Sequence, residues 1–219
     1  MIAVIDYGMG NIHSVIKAIE AFGQPARVAV AKEDLEKAEK IVLPGVGGFA
    51  DAMRELKKRG LEAAIIAVIK KKKPFLGICL GMQLLFEASE ESEGAKGLGI
   101  LKGKVVRFKV SANLKIPHIG WNQLRHVTKS PLRLRSGQAS HQVTSDCSLL
   151  KDIPDNSYVY FCHSYYAVPK DESIAAARTD YGPDFVSVVC KDNLFGIQFH
   201  PEKSQSVGLK ILENFINLC

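Results

Sequence analysis

Four short apolar runs near the N-terminus limit the folds open to this chain. Residues 2–6, 27–31, 41–43 and 74–79 are each only a few residues long, and each is followed by a stretch with helical spacing. Runs this short suit strands buried on both faces, as in a parallel sheet covered by helices. After 2–6 comes Tyr7-Gly8-Met9-Gly10, then Asn11, a residue suited to capping a helix. Apolar residues at Ile12, Val15, Ile16, Ile19 and Phe22 give one helical stripe, and Gly23 stands where such a helix stops. Further helical stretches fall at 34–38, 49–59 and 61–72, and another opens near Gly81. Strands separated by helices need right-handed crossovers. The expected class is therefore α/β, a three-layer sandwich with a largely parallel central sheet.

The second half is richer in strands. Residues 105–108, 158–161, 174–177, 186–189 and 195–199 read as strands, and 207–218 closes the chain with a helical period. The polar, Ser/Thr-rich stretch 130–148 reads as a surface loop. No repeat or linker divides the 219 residues, of which 47% are apolar, so one domain over 1–219 with a full core is expected.

Composition removes several function classes. The net charge of +6 is mild and its basic residues are scattered. The densest run, 70–73, follows an apolar helix, where cations suit the negative end of the helix dipole, so nucleic acid is not an expected partner. No apolar run approaches a membrane span, and the N-terminus has no basic region ahead of its apolar residues, so neither membrane nor export is expected. The five cysteines are odd in number, scattered and without a Cys-x-x-Cys pair. That argues against a disulfide framework and a zinc site, and for a reducing, cytosolic compartment.

Two segments carry chemistry. Gly77-Ile78-Cys79-Leu80-Gly81 places a cysteine between glycines where a strand passes into a helix. This is the nucleophile-elbow pattern with Cys for Ser; the tight turn needs the glycines, and the helix terminus favours negative charge on sulfur. Phe199-His200-Pro201-Glu202 places a histidine at a strand end with a carboxylate two residues on. A cysteine nucleophile needs a base near neutrality, and that base needs an orienting acceptor. Pro44-Gly45-Val46-Gly47-Gly48, after the third strand, offers backbone N–H groups to an oxyanion. Neither a dinucleotide-binding nor a Walker A pattern is met.

These segments resemble the class I (triad) glutamine amidotransferases. The resemblance rests on Leu43-Pro44-Gly45-Val46-Gly47, on Gly77-Ile78-Cys79-Leu80-Gly81-Met82-Gln83 and on Gln198-Phe199-His200-Pro201-Glu202. A narrower likeness, to members that feed a cyclase, rests on Asp6-Tyr7-Gly8-Met9-Gly10-Asn11, Gly120-Trp121-Asn122, His163-Ser164-Tyr165-Tyr166 and Lys203-Ser204. It implies the family's flavodoxin-like fold and a glutaminase whose nucleophile is Cys79, whose base and acid is His200, and whose orienter is Glu202. Leu80 and the Gly45-Val46-Gly47 segment would form the oxyanion hole. Gln83, His163, Ser164 and Tyr165 would hold L-glutamine. The ammonia would pass to a cyclase subunit, a (β/α)8 barrel, in a heterodimer, with Asn11, Trp121 and Lys203 facing that partner. The resemblance implies no metal and no organic cofactor. The rival reading is a stand-alone cysteine hydrolase, against which Gln83 and the docking aromatic Trp121 speak.

Overall fold

A computed structural model of the chain describes residues 1–109, 114–127 and 147–219. The first half runs β1 (Ile2–Ile5), α1 (Ile12–Glu20), β2 (Ala26–Ala29), α2 (Lys32–Lys37), β3 (Lys40–Leu43), α3 (Phe49–Lys58), α4 (Leu61–Lys70), β4 (Phe75–Ile78) and α5 (Leu80–Gln83). Then come β5 (Ala88–Ser89), β6 (Gly103–Arg107), β7 (His118–His126), β8 (Ser157–His163), β9 (Tyr165–Pro169), β10 (Ala175–Asp180), β11 (Asp184–Lys191), β12 (Leu194–Ile197) and α6 (Gln205–Leu218).

Nine strands form one sheet in the order β2-β1-β3-β4-β12-β11-β10-β7-β8. From β2 to β12 the neighbours are parallel, as the strand–helix alternation requires; from β12 to β8 they are antiparallel. A small sheet, β5-β6-β9, flanks it. Alternate residues of each parallel strand enter opposite cores. Ala3, Ile5, Ile41, Leu43 and Phe75 join one with side chains from α2, α3, α4 and α5. Ile2, Val4, Val42, Leu76 and Ile78 join the other with side chains from α1 and α6. That alternation makes three layers and explains why these short runs are apolar throughout.

The structure departs from the sequence reading in three places. The helix after Cys79 is a single turn, because Leu84, Leu85 and Phe86 follow it fully buried and leave no polar face for a longer surface helix. Asn11 heads α1 by position, but its side chain makes no capping hydrogen bond. Strands β7 and β9 carry mixed polar and aromatic residues and were not expected. Of the polar loop expected over 130–148, all but Cys147 and Ser148 lies outside the described residues; Cys147 is buried and Ser148 opens a 3₁₀ turn. Among the described residues no helix is long and apolar enough to cross a membrane.

Candidate active site

The carboxyl ends of β4 and β12 lie side by side, in parallel register with Gly77 opposite Gly196 and Ile78 opposite Ile197. Cys79 leaves β4 there, its N–H still bonded to the Ile197 carbonyl at 2.7 Å. Its backbone has φ 53 and ψ −109, a conformation that disfavours any side chain. The elbow is as tight as the glycine pattern suggests: a Cβ on Gly81 would stand 1.8 Å from the Leu43 carbonyl oxygen. Cys79 is buried, 6% exposed, yet lines a cleft.

His200 leaves the end of β12. Its N–H donates to the Tyr160 carbonyl at 2.9 Å. The Ser204 hydroxyl accepts from the Tyr160 N–H at 2.9 Å and donates to the His200 carbonyl at 2.6 Å. Strand β8 thus grips both sides of the His200–Ser204 turn. His200 Nδ1 lies 3.0 Å from Glu202 Oε1, and both side chains are buried, 6% and 3% exposed. With Nδ1 so occupied, Nε2 is left for Cys79. Burial opposes charge on this imidazole, but the Cys79 sulfur and the Glu202 carboxylate outweigh it and raise its pKa from 6.5 to about 10. The charge on His200 therefore favours folding, fully below its unfolded value near 6.5 and fading as pH rises through about 10.

A cleft of about 290 Å³ opens over the sulfur. Its lining includes Val46 and Gly47, Leu80 and Gln83, the 163–165 segment of His163, Ser164 and Tyr165, and His200 and Lys203. Gly47 has φ +96, a value that favours glycine. Gly45 is packed tightly, since a Cβ there would lie 2.5 Å from the Tyr7 hydroxyl oxygen. Gln83 Nε2 donates to the Tyr165 carbonyl at 2.8 Å and to Gln198 Oε1 at 3.0 Å. Of the residues expected from sequence, Val46, Gly47, Leu80, Gln83 and the 163–165 segment line this cleft with Cys79 and His200, while Gly45 borders a separate hollow. Asn11 borders that small hollow too, with His200 and Glu202. Trp121 is outside the cleft, 46% exposed on the outer face of β7 and edge-on to Tyr160 at 6.1 Å. Lys203 Nζ lies over that same Tyr160 ring, 5.7 Å from its centre.

Gln198 and Glu91 carry no site role in the sequence reading, yet the fold brings both to Cys79. Gln198 is fully buried and its Nε2 reaches to 3.6 Å from Cys79 Sγ; its place in the His200 motif was the available signal. Glu91 lines the cleft while its Oε2 accepts from the Phe49 N–H at 2.7 Å. Nothing in its local sequence marks it, because the fold alone brings it to Cys79.

A model of the family described as glutamine amidotransferase class-I matches residues 3–218. The chain belongs to this family. It is 47% identical over 223 residues to the imidazole glycerol phosphate synthase subunit HisH of Geobacillus kaustophilus, with 100% of this chain and 97% of that one covered. The subunit of the same name from Desulfitobacterium hafniense is 49% identical over 215 residues, covering 98% and 93%. That of Methanocaldococcus jannaschii is 45% identical with both chains covered completely. Among solved structures, a glutamine amidotransferase superposes with a TM-score of 0.70 at 17% identity, covering 97% of this chain and 98% of the other. PurLQS from Thermotoga maritima superposes with the same TM-score at 19% identity, covering 99% and 97%. These likenesses establish the amidotransferase fold.

Proposed function

We propose that this chain is the glutaminase subunit of imidazole glycerol phosphate synthase, in histidine biosynthesis, working as one domain over 1–219. Full-length relatives at 45–49% identity bear that enzyme's name. The observation that carries the chemistry is a cysteine on a strained elbow beside a histidine whose far nitrogen is tied to a buried carboxylate.

Glutamine enters with its carboxamide over Cys79. Sγ, with its proton held on His200 Nε2, bonds to the carboxamide carbon, whose C=O becomes an oxyanion. The N–H of Leu80 and one from Gly45-Val46-Gly47 receive that charge. The C–N bond then breaks as His200 returns the proton to the leaving nitrogen, giving ammonia and a glutamyl thioester. Water gives a proton to His200 and attacks the thioester carbon. The C–S bond breaks and glutamate leaves. Apart from glutamine and water, the groups named in this route are side chains and backbone amides of the chain. Gln83 and the backbone of His163, Ser164 and Tyr165 hold the substrate, and Glu91 pairs with its ammonium group.

The ammonia passes to the cyclase subunit, a (β/α)8 barrel, in a cytosolic heterodimer. There it is used to form imidazole glycerol phosphate and aminoimidazole carboxamide ribotide. Asn11, Trp121 and Lys203 lie toward that partner. Glutamate release by the purified chain, alone and with the cyclase, tests this reading. No glutamine turnover in either state refutes it.

Two substitutions check the assigned roles. His200→Ala, which removes the proton carrier, should cost more turnover than Glu202→Gln, which keeps a hydrogen-bonding orienter. Glu202→Gln also removes one of the two groups that raise the imidazole pKa. The alkaline limb of the glutaminase pH profile should therefore move to lower pH. An unmoved limb, or a Glu202 variant slower than His200→Ala, would reverse the assignment. Glu91→Gln should raise KM for glutamine roughly ten- to a hundredfold with kcat nearly kept, the cost of a charge-assisted contact made equally in ground and transition states. Unchanged KM would place the ammonium elsewhere.

A further inference from the structure

The route above leaves the imidazoles of a buried histidine pair unused. His118 of β7 and His163 of β8 are opposite each other in the ladder, with His118 Nδ1 3.1 Å from His163 Nε2. Both ends of this pair are chemically fixed. His163 Nδ1 lies 2.8 Å from the Tyr165 carbonyl, which can only accept, so that nitrogen carries a proton. At the other end the Asn122 amide is oriented by two backbone groups. Its Oδ1 accepts from the Gln123 N–H at 2.8 Å, and its Nδ2 donates to the Asp180 carbonyl at 2.8 Å. The second hydrogen of Nδ2 faces His118 Nε2 at 3.4 Å, so that ring nitrogen is bare.

Burial keeps both rings neutral, lowering His118 to about 4 and His163 to about 3. With one proton per ring, a single arrangement satisfies every contact: His118 donates through Nδ1, and His163 accepts through Nε2 and donates through Nδ1. The rings are clamped as well. His118 is stacked between Tyr181 at 3.8 Å and Phe161 at 4.8 Å between centres. The chain ends on the same Tyr165 carbonyl that receives Gln83.

We propose that His118 is a positioning residue for glutamine: the one-way hydrogen-bond chain Asn122→His118→His163→Tyr165 carbonyl holds the 163–165 wall, and Gln83 with it, in the shape that receives the substrate. The proposal deepens the glutaminase reading and rests on it. His118 touches no reacting atom. It acts through His163, from the inner face of the strand whose outer face exposes Ile119 and Trp121.

The test has a part independent of activity. Long-range proton–nitrogen correlation spectra of the histidine-labelled full chain at neutral pH should show both His118 and His163 as the Nδ1–H tautomer. An Nε2–H tautomer or an imidazolium at either ring overturns the proposal. In the complex with the cyclase, His118→Phe keeps the aromatic stack and removes the donor. It should raise KM for glutamine about tenfold while kcat stays within about a factor of two. His118→Asn, whose amide nitrogen reaches the Nδ1 position, should bring KM back to within about threefold. Unchanged KM in a folded His118→Phe variant, or no rescue by asparagine, also overturns it. Should the phenylalanine variant not fold, Asn122→Ala, at the less buried end, must raise KM in the same direction. Wrong tautomers in an active complex defeat this proposal alone, whereas an unaltered complex without glutamine turnover defeats the glutaminase reading and the proposal with it.

Discussion

Cys79→Ala should remove glutamine-dependent synthesis, by at least about 10⁴-fold, while synthesis from added ammonium salts continues in the same complex. The sulfur serves only ammonia release, so the cyclase should not register its loss when ammonia is supplied from outside. Loss of both activities in a folded variant would end the division of labour. The strained backbone adds a second readout. Cys79 holds φ 53 and ψ −109, which alanine must also adopt and glycine adopts freely. Cys79→Gly should therefore be as inactive as Cys79→Ala yet more stable than the unaltered chain, by about 1–3 kcal/mol. Denaturant unfolding of the three proteins checks this. A glycine variant less stable than the alanine one would mean that the elbow stores no strain.

The second large effect concerns control. The chain alone should hydrolyse glutamine poorly, and docking of the cyclase with its own substrate should raise the rate about 10²–10³-fold, the value of one oxyanion donor. Val46 is 43% exposed between two glycines, and Gly47 already sits in the left-handed region. A peptide there can turn over at modest cost, so its N–H can face the cleft or turn from it. A partner restores the donating form only as far as it binds that form more tightly. Full glutaminase activity in the isolated chain would defeat this account.

How much of this was legible beforehand depended on where each signal lay. The parallel half of the sheet was readable because its strands, Ile2–Ile5 and Phe75–Ile78 among them, are buried on both faces and hence apolar at every position. Strand His118–His126 was not, because only His118 and Leu124 of its nine residues are buried and the rest follow no apolar period. The Cys79 elbow and the His200–Glu202 pair were readable as local patterns, because each serves its own turn. The places of Glu91 and His118 were not, because they are set by contacts with Phe49, His163 and Asn122 in other parts of the fold. The Asn11 cap failed for a related reason: the residue type suits a cap, but the bond depends on backbone geometry that a single letter does not carry.

Cys79 and His200 leave neighbouring strands held in register by the ladder between β4 and β12. Their separation is therefore set by the spacing of two hydrogen-bonded strands and owes nothing to the length of chain that connects them. Insertions in the turns that link strands between the two can therefore accumulate without moving sulfur relative to imidazole, so long as β8 keeps its hold on His200. By the same geometry, a circular permutant opened in that interval, with its original termini joined by a linker long enough to span them, should assemble the same catalytic pair from a chain in which the histidine comes first.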